Sequence, residues 1–324
     1  MEVDSILHNL IDLHIHLGSS SSPHFLWELA HEQGIRLPEK NYWKFINSVT
    51  ITRKTSQENY HQRFDLTQLI QSSPYGVEHS VHNAISAAYR EAGVSLIEIR
   101  LNPMRRNKGG EHDLDKIILS ATIGMKKACL EYPVRAGIIL EMDRRFNKEK
   151  NIIIAQKAAA FKNDGVVGID VSGPDNKDFK IDNLIDAFDL ARDAGLGLTI
   201  HTGEFTPVAE IWEVMKKLRP HRLGHGIRCV DDPALMSYLV ETKTVLEICP
   251  TSNTRIGIVK DWNEMASIVN TLKNNQIFFT INSDSPEFLE TNAKKEFQIL
   301  YRKGILTLDE IKNCISLANK SSFV

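Results

Sequence analysis

Two histidines near the start of the chain, His14 and His16, lie two residues apart in the stretch IDLHIHLGSS. Side chains two residues apart on a β-strand point to the same side, so both imidazoles would face one point. Further imidazoles and carboxylates follow later apolar stretches: His201 and Glu204 in HTGE, His225 in RLGHG and Asp284 in INSDSP. Imidazole nitrogen and carboxylate oxygen are common metal ligands in proteins. This pattern predicts a metal site assembled from distant parts of the chain.

The predicted ligands are three imidazoles and one carboxylate, namely His14, His16, His201 and Asp284. Nitrogen and oxygen donors without a thiolate favour Zn²⁺, with Fe²⁺ or Mn²⁺ as substitutes. A catalytic zinc lowers the pKa of a bound water towards about 7. The charges of the ion, one carboxylate and hydroxide then sum to zero, which suits a neutral substrate.

Strands and helices that would hold these residues are predicted to alternate along the chain. Eight short apolar runs, several of them apolar almost throughout, are typical of parallel strands that are buried on both faces. They are 10–16, 94–101, 134–140, 166–171, 196–201, 221–225, 244–249 and 277–283. Segments with helical periodicity lie between them, among them 113–130, 181–194, 208–218 and 261–274.

This alternation predicts a (β/α)₈ TIM barrel, in which catalytic side chains come from the C-terminal ends of the strands. Residues 17–93 exceed one loop and helix, so we expect extra helices between strands 1 and 2 that cover the active-site mouth. No linker or internal repeat is visible, and we predict a single barrel domain over residues 1–324.

Composition excludes several classes of partner. The formal net charge is −2 with no long basic run, which argues against nucleic acid and acidic membrane surfaces. No apolar run approaches the roughly 20 residues of a membrane span. The first ten residues, MEVDSILHNL, lack the basic and apolar blocks of a secretory signal. The four cysteines form no CxxC pair, so we expect reduced thiols and a cytoplasmic protein.

Several of these motifs together resemble the adenosine deaminase family of metal-dependent hydrolases. They are DLHIHLGSS, HTGE, RLGHGIRC, LEICPTSN and INSDSPEF, in that order at predicted strand ends. GVSLIEIRLNP, VVGIDVSGPD and the terminal LANKSSFV extend the resemblance over essentially the whole chain. It implies the same barrel with one Zn²⁺ per chain and the same ligands. VVGIDVSG offers no lysine for a second metal.

The resemblance also implies roles for individual residues. Glu204 matches the proton donor to purine N1, His225 the histidine that positions the attacking water, and Gly173 the glycine whose amide meets purine N3. Asp284 would accept a proton from the water, and His16 would also contact the substrate. Addition of hydroxide at C6 requires N1 to be protonated, so we expect burial to raise the pKa of Glu204. We expect His225 to be protonated.

Two substrate-binding positions depart from the family pattern. Gly18 replaces an acid that meets the ribose 5′-hydroxyl, and Ser285 replaces an aspartate that contacts purine N7. A serine hydroxyl can donate directly to N7, whereas an ionised aspartate only accepts. The base is therefore expected to bind, and the sugar requirement stays open.

The leading interpretation is a zinc-dependent deaminase of a small-molecule 6-aminopurine, with adenosine or 2′-deoxyadenosine as substrate. The alternatives are a deaminase of adenine, 6-aminodeoxyfutalosine or a modified nucleoside, a zinc amidohydrolase that opens a cyclic amide, and an inactive purine-binding relative. Other polar residues are given structural roles. Glu98 and Arg100 are expected to pair inside the barrel. DRRFNKEK and MRRNKGGEHD are expected to be solvated loops, with phosphate binding as the alternative.

Overall fold

A ring of parallel strands forms the centre of the computed structural model, which describes residues 2–109 and 111–324. The strands are β1 Leu10–His16, β2 Val94–Leu101, β3 Arg135–Asp143, β4 Val166–Ser172, β5 Gly197–Leu198, β6 His201–Thr202, β7 Arg222–His225, β8 Val245–Ile248 and β9 Phe279–Ile281. The strands form two parallel sheets, β1 through β5 and β6 through β9. In each sheet, every strand is hydrogen-bonded to the next strand along the chain. A parallel bridge between Ile15 and Asp284 joins the segment after β9 to β1 and so connects the last strand of the ring to the first. The predicted TIM barrel is confirmed.

The predicted strand 196–201 is divided in two. β5 pairs with β4, whereas β6 pairs with β7, through His201 opposite Gly224. Between them, the Thr199 amide still donates to the Ile169 carbonyl at 3.1 Å. The strand therefore changes neighbours over two residues, and this change brings His201 to the rim of the barrel.

Helices surround the ring, and the predicted helical segments are confirmed to within a few residues. They are α1 Pro23–Glu32, α2 Tyr42–Val49, α3 Gln57–Ile70, α4 Pro74–Ala92, α5 Leu114–Glu131, α6 Lys148–Ala160, α7 Ile185–Asp193, α8 Val208–Lys217, α9 Pro233–Thr242, α10 Pro250–Arg255, α11 Trp262–Asn274, α12 Ala293–Arg302 and α13 Leu308–Ser321. Ser, Asn, Asp or Thr side chains cap the start of most of them, which satisfies free backbone amides.

The long segment between β1 and β2 forms four helices, α1 to α4. Residues of α1, α2 and α3 share an apolar cluster with Phe288 and Leu289, separate from the main core. Helix α3 starts where the Ser56 hydroxyl accepts a hydrogen bond from the Asn59 amide, and its polar sequence hides an inner face that carries Tyr60 and Phe64. Both side chains line the cavity at the barrel mouth, so α3 covers it as expected.

Buried ion pairs fill the interior of the ring. Arg100 contacts Asp170 at 2.9 Å and Glu247 at 3.0 Å, and Arg222 contacts Glu247 at 2.7 Å and also Glu98. The predicted pair of Glu98 with Arg100 is therefore wrong. Both side chains point inwards from β2, but two residues of separation along a strand keeps them in different layers, and each finds its counter-ion across the barrel.

Near the opposite end of the barrel from the cavity, the C-terminal residues reach the same network. The Arg222 guanidinium lies 3.7 Å from the centre of the Phe323 ring, and the Phe323 amide donates to Glu98 at 2.5 Å. Cys129, Cys229, Cys249 and Cys314 are unpaired thiols, as expected. Within residues 2–109 and 111–324, no helix has the length and apolar character needed to cross a membrane.

Helices α4 and α5 cross at Gly124, and this contact gives a test of the packing. A Cβ at Gly124 would lie 2.2 Å from the Glu78 carbonyl oxygen. Helix propensity alone would make Gly124→Ala stabilising by about 1 kcal/mol. We expect instead a loss of about 1–3 kcal/mol in the free energy of unfolding, because two helix backbones must separate. Urea denaturation measures the change.

The control is Leu119→Ala, on the same helix with 43 % of the side chain exposed. It is expected to stay within about 0.5 kcal/mol of the unmodified chain. A Gly124→Ala variant at least as stable as that control would contradict the close crossing of α4 and α5.

Candidate active site

A cleft opens at the C-terminal ends of the strands, between the barrel rim and α3. It encloses about 900 Å³, its open mouth included, which is within the usual range for a small-molecule site. Its walls carry many of the residues that the sequence singled out. These are His16, Gly18, Gly173, His201, Glu204, His225 and Asp284.

The three predicted imidazole ligands converge at the bottom of this cleft. Nε2 of His16 lies 3.1 Å from Nε2 of His201. The ligand atoms of His14, His16 and His201 all lie within 4.8 Å of one another. Two nitrogens that bind one zinc at 2.0–2.1 Å in tetrahedral geometry are about 3.3 Å apart. The spacing therefore fits imidazoles that share one ion.

Each imidazole is oriented through its other nitrogen by a buried carboxylate. The Nδ1 contacts are Glu247 at 2.7 Å from His14, Glu141 at 2.8 Å from His16 and Asp170 at 3.0 Å from His201. A carboxylate that accepts from Nδ1–H leaves Nε2 as a free lone pair, as in known carboxylate–histidine–metal sites. The sequence analysis missed all three acids. An acidic residue inside an apolar strand, as in LEIC, LEMD and GID, is the signal that could have identified them.

Asp284 lies beside the imidazoles, in a left-handed backbone conformation with φ of 61°. Its Oδ1 is 3.5 Å from Nε2 of His16 and 3.9 Å from Nε2 of His14. Burial raises the pKa of this carboxyl, but the imidazoles and a hydrogen bond from the Ser252 hydroxyl outweigh burial and hold it below its ordinary value. An ionised Asp284 is therefore favoured beside the imidazoles, chiefly by His16, whose own pKa Glu141 and Asp284 raise against the effect of burial.

The residues present fit a divalent cation. Nε2 of His14 is buried and has no hydrogen-bond partner, although it lies in the cluster of ligand atoms from His16 and His201. Burial also lowers the pKa of His14 well below its ordinary value, so the ring is neutral. An unpaired lone pair beside an ionised carboxylate is what a metal ion would satisfy. Cys249 also lies near His14 and Asp284, but burial raises the pKa of its thiol, which disfavours a thiolate ligand.

Glu204 lies in the cleft wall with 8 % of its surface exposed. Burial, and then the charge of Asp284, raise the pKa of Glu204 well above its ordinary value. The expectation of an acid that holds its proton is thus met by the surroundings of this carboxyl. Asn253, in the motif LEICPTSN, places Nδ2 at 3.2 Å from Oε1 of Glu204 and 3.1 Å from Nδ1 of His225.

His225 differs from the expectation in its charge. Burial lowers its pKa to about 3, and the nearby Asp284 only partly offsets this. The ring is therefore neutral, and the expectation of a protonated His225 was wrong because burial outweighs the nearby carboxylate of Asp284. The nearest acid oxygen is Oε2 of Glu204, at 3.5 Å from Nε2.

The two positions that depart from the family pattern have local explanations. At Gly18 a Cβ would lie 2.6 Å from Cδ1 of Phe64, so the aromatic ring occupies the space of any side chain. Ser285 is fully buried, and its hydroxyl lies 2.6 Å from the Tyr60 hydroxyl and accepts from Ser19 at 2.9 Å. Ser285 is not among the described residues that line the cleft, whereas Tyr60 is.

Gly173 follows β4 at the cleft wall with φ of 109°. A Cβ there would lie 3.0 Å from Oδ1 of Asp143, so both the backbone conformation and the space require glycine. Gly173 lines the cleft, and this position is compatible with the predicted contact between its backbone amide and purine N3.

Comparisons with known proteins agree with this arrangement. The family model described as adenosine deaminase matches residues 10–324. The chain is 28 % identical over 313 residues to an adenosine deaminase of Clostridium kluyveri, covering 96 % of this chain and 88 % of the relative. It is 35 % identical over 185 residues to an adenine deaminase of Rhizobium johnstonii, covering 57 % of this chain and 56 % of the relative.

An amidohydrolase of Burkholderia ambifaria, solved with bound zinc, shares the fold. The TM-score is 0.88 at 19 % identity, with 98 % of this chain and 86 % of that chain covered. Because the family model spans the motifs, the strands and the helices that hold the cleft, the chain belongs to the adenosine deaminase family of hydrolytic deaminases.

Proposed function

We propose that the chain is a one-zinc enzyme that deaminates a 6-aminopurine by hydrolysis, with His14, His16, His201 and Asp284 as ligands. The observation that carries the proposal is the convergence of three carboxylate-oriented imidazoles on one point. A buried acid with a raised pKa, Glu204, lies in the same cleft. A metal site next to a protonated carboxyl provides both requirements of the reaction, a nucleophile and a proton donor.

The metal, when bound, would supply the Lewis acid that makes water nucleophilic at neutral pH. Asp284 is ionised and accepts the proton that the attacking water loses. Glu204, whose pKa is raised well above its ordinary value, donates a proton to N1 as C6 is attacked. The proton held by Asp284 then leaves with the amino group as ammonia when the C6–N bond breaks, and the hydroxyl proton of the adduct returns to Glu204. His225 is neutral and orients the water by hydrogen bonding. Asn253 positions both Glu204 and His225 through hydrogen bonds from its Nδ2.

Adenosine and 2′-deoxyadenosine are the first substrates to test, and adenine is the second. Relatives named adenosine deaminase and relatives named adenine deaminase both support a purine with an amino group at C6. His16 and Gly18 line the part of the cleft beside α3, and Gly173 lines the opposite part. We propose that Gly173 binds the purine edge at N3. The contact between Ser285 and N7 stays a prediction, and Tyr60 is the hydroxyl that lines the cleft there.

Replacement of the proton donor separates chemistry from metal binding. We expect Glu204→Gln to keep zinc but to lower kcat by about 10²–10⁴-fold, the range for loss of a general acid. Metal analysis and ammonia release measure the two effects. The matched control is Glu213→Gln on α8, an exposed acid that pairs with Lys217, and it should be fully active. Full activity in Glu204→Gln would refute the assignment of the proton donor.

Zinc itself is tested by removal and by ligand variants. Chelation should abolish activity, and added Zn²⁺ should restore it. Asp284→Ala should lose both zinc and activity. Glu141→Gln should weaken zinc binding by about 10–100-fold, because the amide no longer holds His16 as a carboxylate does. Full zinc occupancy in Asp284→Ala under competition with a chelator would count against its role as a ligand.

A substrate panel distinguishes the remaining functions. Zinc-loaded protein is assayed for ammonia with adenosine, 2′-deoxyadenosine, adenine and 6-aminodeoxyfutalosine, and for ring opening with a cyclic amide, whose hydrolysis releases no ammonia. We expect release from aminopurines only, because Glu204 is suited to protonate a ring nitrogen. Zinc-loaded protein that binds purines but releases ammonia from none of them would instead identify an inactive relative.

A further inference from the structure

One buried arginine in the cleft lacks a counter-ion. Arg106 is 1 % exposed and lines the cleft. One Nη donates to the Asn102 carbonyl at 3.2 Å, the other lies 3.5 Å from Oε1 of Gln71, and Nε has no partner. No ion pair of residues 2–109 and 111–324 includes it, and a buried charge without a partner is costly.

The other arginines at the cleft have carboxylate partners. Arg144 binds both oxygens of Glu210, at 2.9 and 2.7 Å, and Arg105 and Arg145 share Asp143, at 2.8 and 2.7 Å. These pairs account for most of the segments that the sequence left open between solvated loops and phosphate binding. Arg106 is the exception among them.

Unpartnered amide groups lie on the same wall as Arg106. Asn102 is 3 % exposed, and neither its Oδ1 nor its Nδ2 has a hydrogen-bond partner. Gln68 is 9 % exposed, and its Oε1 is also unpartnered. All three side chains line the cleft. Together they offer a cation and an amide donor to an anion, and two carbonyl oxygens to hydroxyl groups.

This wall is next to Gly18. Gln71, which contacts Arg106, also donates from Nε2 to the carbonyl of Leu17 at 3.1 Å. Phe64 fills the space beside Gly18, so position 18 itself places no acidic side chain in the cleft, although Asp65 and Glu141 also line it. A purine whose C6 faces the metal ligands and whose N1 faces Glu204 directs its N9 substituent to another wall of the cleft.

We propose that Arg106, Asn102 and Gln68 form a subsite for a phosphate monoester, so that the substrate is a 6-aminopurine nucleoside 5′-monophosphate. The inference rests on the proposed deaminase function and narrows its substrate. The phosphate accepts from Nε and Nη of Arg106 and from Nδ2 of Asn102. Ribose hydroxyls donate to Oδ1 of Asn102 and Oε1 of Gln68.

The charge of Arg106 is available for this role. Burial lowers its pKa to about 10, with Glu141 opposing and Arg105 adding to the effect, so the guanidinium stays charged at neutral pH. A charge-assisted hydrogen bond in a buried site is stronger than one between neutral groups, and a phosphate oxygen pair matches the planar guanidinium.

The test compares ligands that differ only in the phosphate. Hydrolysis of AMP at C6 releases ammonia and gives IMP, so IMP and inosine report the subsite without turnover. Calorimetry on zinc-loaded protein should give an affinity for IMP about 30–100-fold above that for inosine. AMP should likewise exceed adenosine in kcat/KM for ammonia release.

Variants then assign the difference to Arg106. Arg106→Met should remove the advantage of IMP and change inosine binding by less than about 3-fold, and Arg106→Lys should retain part of it. The matched control is Arg135→Met, since Arg135 is exposed and bonded to Asn319. If Arg106→Met fails to fold, the ratio of IMP to inosine in the unmodified protein and the lysine variant still decide.

Three results would overturn the subsite. One is equal binding of IMP and inosine by the unmodified protein. The second is an equal loss of both ligands in Arg106→Met with a lower Tm, which would make the arginine structural. The third is inorganic phosphate that binds as tightly as IMP and leaves inosine binding unchanged, which would indicate a separate anion site. A preserved difference between IMP and inosine without ammonia from any aminopurine would refute the deaminase proposal and leave the subsite standing.

Discussion

The cleft depends on one buried carboxylate, Glu247, at the centre of the barrel. It accepts hydrogen bonds from Nδ1 of His14, from Arg100 and from Arg222. Two buried guanidinium groups contact this acid, and its hydrogen bond with Nδ1 of His14 fixes the tautomer of that imidazole. Arg100 also contacts Asp170, which binds His201, and Arg222 also contacts Glu98, which accepts from the amide of Phe323. One network therefore connects Glu247 to His201 and to the C-terminal residues. The orientation of the imidazoles is thus a property of the whole barrel interior.

At the mouth of the barrel, the helices between β1 and β2 contact residues at the ends of the strands. Helix α3 places Phe64 in the space beside Gly18 and Tyr60 against Ser285 and Asp284. Two aromatic side chains from one helix therefore lie against Gly18 and Ser285. Arg106, whose Nε has no hydrogen-bond partner, lines the same cleft.

Burial gives the polar residues of the cleft opposite protonation states. The imidazoles and Ser252 outweigh burial and lower the pKa of Asp284, whereas burial and the like charge of Asp284 raise the pKa of Glu204 against the hydrogen bond from Asn253. Two carboxyl groups in one cleft thereby divide into an acceptor and a donor. The difference arises because Asp284 lies beside imidazoles from β1, β6 and β7, whereas the charged neighbour that acts most strongly on Glu204 is Asp284 itself.

The sequence by itself determined the barrel, most of its helices and the residues that converge on the cleft. Strand ends recur with a fixed geometry in this fold, so a polar residue after an apolar run has a predictable place. Tertiary structure decided what crosses the barrel. The partners of His14, His16 and His201, the separate counter-ions of Glu98 and Arg100, the neutral state of His225 and the unpaired charge of Arg106 all depend on side chains from other strands and helices. Local patterns cannot encode such distances, because long polar side chains choose partners by proximity in space.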